Sequence, residues 1–163
     1  MPRRPFNFDV RCSIMTHAET KAMITDLAVR CLDILVKRGF VSVDQINASR
    51  WYVELDVNGR LKNEQFSAAT SVDSQNRPFL LFNPSAAPKE LAFSIPHEVI
   101  HLAQICKGDW LPCYGYSVWK GKRIERIEAG NPSYTTAQPW EAEASAIDND
   151  IRGKMYEALP MFK

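Results

Sequence analysis

The stretch His97-Glu98-Val99-Ile100-His101 reads H-E-x-x-H. On an α-helix, residues four apart stand one turn above each other on the same face. Two imidazoles placed that way can hold one small metal ion from one side. Glu98 lies about 100° round the helix from His97, close enough to reach a water on that metal. Zinc is the usual metal for such a pair, and the intervening glutamate the usual general base. The flanks agree with a helix. Ser94 can cap it, Ile95 and Pro96 fall in a first turn where proline is tolerated, and Gly108 supplies a stop. A longer, kinked helix from near Pro88 is the alternative start. His97, His101 and Gln104 share one face; Val99, Ile100 and Ala103 share another, which should meet the core.

Upstream, Thr16-His17-Ala18-Glu19 has capping-box spacing. Ala22, Met23, Ile24, Leu27, Ala28, Cys31, Leu32, Ile34 and Leu35 then recur mostly at three- and four-residue steps. This predicts a helix over 17–38, stopped at Gly39, with His17 a surface residue in its first turn. From Trp51 the period changes to two. Trp51–Val57 reads as a strand before an Asn58-Gly59 turn, Glu64–Val72 as a weaker strand, and Pro78–Pro84 as a short buried one. A small antiparallel or mixed sheet packed on the first helix is expected.

Downstream, residues 109–139 read as loop and hairpin. Tyr116–Trp119 and Lys122–Ile127 flank a tight turn at Lys120-Gly121, and Gly130-Asn131-Pro132-Ser133 is a loop signal. So long a segment without a helix suits a cleft wall or lid. A last helix is expected from Pro139 to about Leu159, with Trp140, Ala144, Ile147, Ile151 and Met155 as its apolar stripe.

The remaining composition narrows the class. The 163 residues suit one domain, here read as 1–163 with an N-terminal arm over 1–15. A net charge of +1 gives no global field toward nucleic acid or membrane, and the basic Pro2-Arg3-Arg4-Pro5 reads as a solvated arm. No apolar run is long enough to span a bilayer, and no apolar region follows the first arginines as in a signal peptide; a cytoplasmic setting is expected. Cys12, Cys31, Cys106 and Cys113 show no CxxC spacing and read as free thiols, Cys31 within helix core. A structural zinc site on Cys106 and Cys113 would need two more ligands from afar.

A catalytic zinc needs three protein ligands and an open position. The motif supplies two, and His17, the only other histidine, stands far upstream. A carboxylate is the better third ligand. Glu141 and Glu143, at the start of the last helix, both qualify. They lie on opposite flanks of its apolar stripe, and the helical wheel alone does not choose between them.

The combination of HEVIH with Glu141-x-Glu143-Ala144 resembles zincin metallopeptidases of the glutamate-ligand type. Thermolysin-like and CAAX-protease-like enzymes carry an E-x-x-x-D pattern on a downstream helix, and ImmA/IrrE-type proteins a similar E-x-E-A-N. That resemblance implies Glu141 as the ligand and Glu143 as a helix neighbour. Ser145 falls where relatives often carry an Asp or Asn that supports a ligand histidine, a departure from the pattern. Over residues 78–150 the chain is also similar to small phage-type metallopeptidase-like proteins that read HExxHxxQ, then W-x-G, then Y…PWExEA. Here these are His97 through Gln104, Trp119–Lys122, Tyr134 and Pro139 through Ala144. Pro96, directly before the first motif histidine, departs from them.

What the resemblance implies is an α+β, zincin-like domain: a small mixed sheet packed against a motif helix and flanking helices. It holds one zinc ion on His97, His101 and Glu141, and hydrolyses peptide bonds in a protein or peptide substrate through metal-activated water, with Glu98 as general base. Tyr134 ranks first to meet the developing oxyanion, ahead of Tyr116 and Arg123. An extended substrate is expected along the Phe79–Phe82 strand. The alternative is a non-hydrolytic zincin-fold interaction or virion-associated protein with a virion or host partner. A nucleic-acid binder has little support, since the charge is balanced and no recognised binding motif is present.

Overall fold

A computed structural model describes residues 16–56, 61, 68–84, 88–128, 130–134 and 137–158, with backbone alone at 88–92 and 155–158. The N-terminal arm with Cys12, the Asn58-Gly59 turn, residues 64–67 of the expected second strand and the Met155 side chain lie outside the described residues. The described elements are α1 (His17–Lys37), α2 (Val43–Ser49), β1 (Tyr52–Leu55), β2 (Ala68–Val72), β3 (Pro78–Phe82), α3 (Pro88–Cys106), β4 (Trp110–Pro112), β5 (Tyr116–Trp119), β6 (Lys122–Glu125) and α4 (Pro139–Ala158). The chain is α+β. Among the described residues, no helix is long and apolar enough to cross a membrane.

The local rules account for most of these elements. Thr16 caps α1 by accepting from the Glu19 N–H at 3.2 Å. The apolar stripe of α1 then buries Ile24, Leu27, Ala28, Cys31, Leu32 and Leu35, while Ala22 stays exposed. Burial, followed by the charge of Asp148, pushes the Cys31 thiol up to about 12, so it stays protonated and packs as an apolar side chain. Gly39 ends the helix at φ +76°, a backbone state that costs glycine little. The short helix α2 was not expected from periodicity. Its signal is the Ser42-x-x-Gln45 spacing, and both reciprocal capping-box bonds form there, at 3.1 and 3.0 Å.

The first sheet has the order β1-β3-β2, with β3 parallel to β1 and antiparallel to β2. The mixed reading holds, but one expectation is overturned. Phe79–Phe82 forms the centre of this sheet, paired on both sides, so it offers no free edge to a peptide. All five residues of β3 are buried, as its unbroken apolar run requires. Val53, Leu55, Leu80 and Phe82 join the inner faces of α1 and α3 in one core, with Val99, Ile100, Leu102 and Ala103.

The second sheet, β4-β5-β6, is antiparallel throughout. The β5–β6 hairpin turns at Lys120 and Gly121, both with positive φ, as a type I′ turn requires. Strand β4 lies inside what reads as loop; three residues are too few for a period to show.

Helix α3 begins at Pro88 and carries Pro96 in its interior, so Ser94 is not its cap. The longer alternative is the observed one. Proline lacks an N–H, so the carbonyl of residue 92 loses its partner one turn before the motif.

A candidate metal centre

Helix α3 turns His97 and His101 to one side, and helix α4, packed against it, brings up Glu141 from its first turn. The start of α4 is tied down from before. Gln138 is buried; its carbonyl accepts from the Glu141 and Ala142 N–H groups at 3.0 and 3.1 Å, and its amide donates to the Tyr134 carbonyl at 2.9 Å. One potential ligand atom from each of His97, His101 and Glu141 lies within 4.8 Å of the others. His101 Nε2 stands 3.1 Å from His97 Nε2 and 3.2 Å from Glu141 Oε1, and His97 Nε2 is 3.3 Å from Glu141 Oε2. The His97 side chain is 28% exposed and that of His101 only 3%, so solvent reaches the cluster from the His97 side.

The charges are mutually dependent. Burial by itself would raise the Glu141 carboxyl, but hydrogen bonding to His101 and His97, with their charge, holds it at about 2. Burial opposes charge on His101, yet Glu141, the negative Glu98 and the Gln104 side chain together raise its pKa above the ordinary value. Three nitrogen and oxygen donors with spacings of 3.1 to 3.3 Å fit a small cation. A tetrahedral site with bonds of about 2.0–2.1 Å has an edge of about 3.3 Å.

Glu98 is met by the first sheet. Thr70, in β2, places its hydroxyl 2.5 Å from Glu98 Oε2 and 3.1 Å from the Glu98 carbonyl oxygen. No signal in the sequence pairs these two residues, because the contact depends on how β2 lies across α3.

Glu143 does not join the cluster. Its Oε1 accepts from Gln104 Nε2 at 3.1 Å. Gln104, fully buried, also donates to the Trp140 carbonyl at 2.9 Å and meets His101 Nδ1 with its Oε1 at 2.8 Å. Trp140 stacks on Trp110, whose ring lies 5.0 Å from that of His101, so β4 walls the centre on the buried side.

Asp148 is the residue that sequence reading missed. Its Oδ2 lies 4.0 Å from His97 Nδ1 and 2.5 Å from Arg152 Nη2, while its buried Oδ1 has no hydrogen-bond partner. The resemblance directs attention to Ser145, but Asp148 is the carboxylate that faces a ligand-candidate histidine. The available signal is spacing, since Glu141 and Asp148 are two turns apart on one face of α4.

Tyr134 lies near enough to feel the site. Burial, then the charges of Glu141 and Glu98, push its phenol up to about 12, so it carries its proton at neutral pH. Arg123 is engaged elsewhere. It donates to Glu125 at 2.8 Å, and its guanidinium lies 4.0 Å from the centre of the Tyr116 ring.

Compared with protein-family models, with curated proteins and with solved structures, the chain has no match.

Proposed function

We propose that the chain is a zinc-dependent peptidase of zincin-like fold. The observation that carries this reading is the convergence of His97, His101 and Glu141 from two helices, with Glu98 supplied by the same helix as the histidines. The donor set, two imidazoles and one carboxylate, is the set that suits zinc with a position left open. Bound there, zinc would polarise a substrate carbonyl and acidify water. His97, His101 and Glu141 would hold the ion. Glu98, held in place by the Thr70 hydroxyl, would take a proton from the attacking water and pass it to the leaving amine. Tyr134, protonated at neutral pH, donates toward the negative charge that grows on the carbonyl oxygen.

The substrate is an extended peptide. Strand β2, which carries Thr70 beside Glu98, is an edge of the described sheet, and it replaces Phe79–Phe82 as the strand along which such a peptide would pair.

The test is metal content and activity together. Protein purified without added metal should hold about one zinc per chain. His97→Ala should lose it. Glu98→Gln should keep zinc while hydrolysis of a peptide library falls by about 10²–10⁴-fold. Metal content that His97→Ala leaves unchanged would overturn the site. Zinc binding without hydrolysis by the unaltered chain would overturn the peptidase and leave a non-hydrolytic protein of the same fold.

A further inference from the structure

Gln104 is hydrogen-bonded both to the ligand-candidate His101 and to the helix that carries Glu141. Its three hydrogen bonds fix more than its own position. A glutamine amide has one donor end and one acceptor end, and the two look alike until their partners are examined. Gln104 Nε2 faces the Trp140 carbonyl at 2.9 Å and Glu143 Oε1 at 3.1 Å. A carbonyl cannot donate, and neither can an ionised carboxylate. The end facing them must therefore be the NH₂. Reversing the amide would set oxygen against two oxygens in a fully buried place, an arrangement with a large desolvation penalty.

With the amide so oriented, Oε1 faces His101 Nδ1 at 2.8 Å. An amide oxygen only accepts, so Nδ1 must carry the proton. The neutral ring then has its lone pair on Nε2, the atom that faces His97 and Glu141. We infer that Gln104 is a positioning residue that locks His101 in the Nδ1–H tautomer, and that Trp140 and Glu143 set the lock from the helix bearing Glu141. Glu143 thereby has a role of its own. It is not a ligand but the acceptor that, with a backbone carbonyl, decides which way Gln104 points.

The consequence for metal binding, which rests on the proposed zinc site, is preorganisation. In free imidazole both tautomers exist, and a ring caught in the wrong one must move its proton before it can bind. The lock removes that step, and it couples α3 to the first turn of α4, where Trp140 directly precedes Glu141.

The tautomer can be read directly, without activity and without metal. A long-range ¹H–¹⁵N correlation spectrum of the metal-free protein, at alkaline pH where the ring is neutral, should show Nε2 as the unprotonated nitrogen of His101. The Nδ1 proton should exchange slowly with solvent. Gln104→Met, which keeps length and removes both polar ends, should lose the slow Nδ1 proton and mix the tautomers. Its affinity for zinc(II), by competition with a chromophoric chelator, should fall about 10–100-fold. Glu143→Ala, which leaves the Trp140 carbonyl in place, should fall less. An unprotonated Nδ1 in the unaltered protein overturns the inference whether or not Gln104→Met folds. A Gln104→Met protein that keeps the Nδ1–H tautomer and zinc affinity also overturns it. An Nδ1–H tautomer in a protein that binds no zinc sustains the lock and sinks the metal reading instead.

Discussion

The Thr70 hydroxyl stands 2.5 Å from Glu98 Oε2, closer than any other described side-chain contact to the residue proposed as general base. A threonine on one element thus sets the resting position of a carboxylate on another. Thr70→Val removes the hydroxyl and keeps the shape. Zinc retention should be unchanged, because Thr70 touches none of the three ligands. Peptidase kcat should fall by about tenfold, the equivalent of about 1.4 kcal/mol, near the low end of what a hydrogen bond to a charged group contributes. Steady-state kinetics check this; a fall in zinc content or a rise in KM alone would show that the contact does something else.

Asp148 gives a prediction of the opposite kind, on metal affinity. A histidine ligand holds metal better when its second nitrogen donates to a carboxylate. Asp148 faces His97 Nδ1 and has an oxygen with no hydrogen-bond partner. Asp148→Asn keeps the shape and removes the charge. Zinc affinity should drop about 10–100-fold, measured by chelator competition. Ser145→Ala, at the other position considered for a supporting residue, should change affinity little. Equal losses at both positions would refute the assignment.

Tyr134 should act on turnover rather than on metal or substrate binding. Its phenol keeps its proton well above neutral pH because burial and the charges of Glu141 and Glu98 push its pKa to about 12. Tyr134→Phe removes the donor alone. Loss of a donor to a developing oxyanion costs about 10²–10³-fold in kcat, and KM and zinc content should hold steady. Tyr116→Phe serves as the control.

The metal-free protein should carry a pH signature of the His101–Glu141 pair. Glu141 is held at about 2, below its ordinary 4.5, so its stabilising contribution is present above pH 4.5 and is lost as pH falls toward 2. His101 is raised above its ordinary 6.5, so its contribution is full below 6.5 and is lost as pH rises through the elevated value. Both describe one interaction, which is strongest between 4.5 and 6.5. Urea midpoints of the metal-free protein and of Glu141→Gln should differ most in that window and converge on either side. Added zinc competes with the His101 proton, so stabilisation by zinc should grow as pH rises. A difference that is flat with pH would contradict the pairing.

Much of the helical framework is legible in the sequence, because it rests on short-range rules. The α1 stripe, the Pro139 start of α4, the i,i+4 spacing of His97 and His101 and the Lys120-Gly121 turn each depend on residues within a few positions. The choice of Glu141 over Glu143 is different. Both stand at one helix start, and only the packing of α4 on α3 turns Glu141 toward the histidines and gives Glu143 to Gln104. The central place of β3, the reach of Thr70 to Glu98 and the approach of Asp148 to His97 are likewise tertiary. Gln104 meets Trp140 across 36 positions of sequence and Thr70 meets Glu98 across 28. No local periodicity carries such contacts; they arise when separate apolar faces are buried against one another and bring their polar flanks within hydrogen-bond reach. By itself, then, the sequence determined two candidate ligands, a candidate base and the helices that bear them, whereas burial between those helices decided the third ligand candidate and the partners that orient each group.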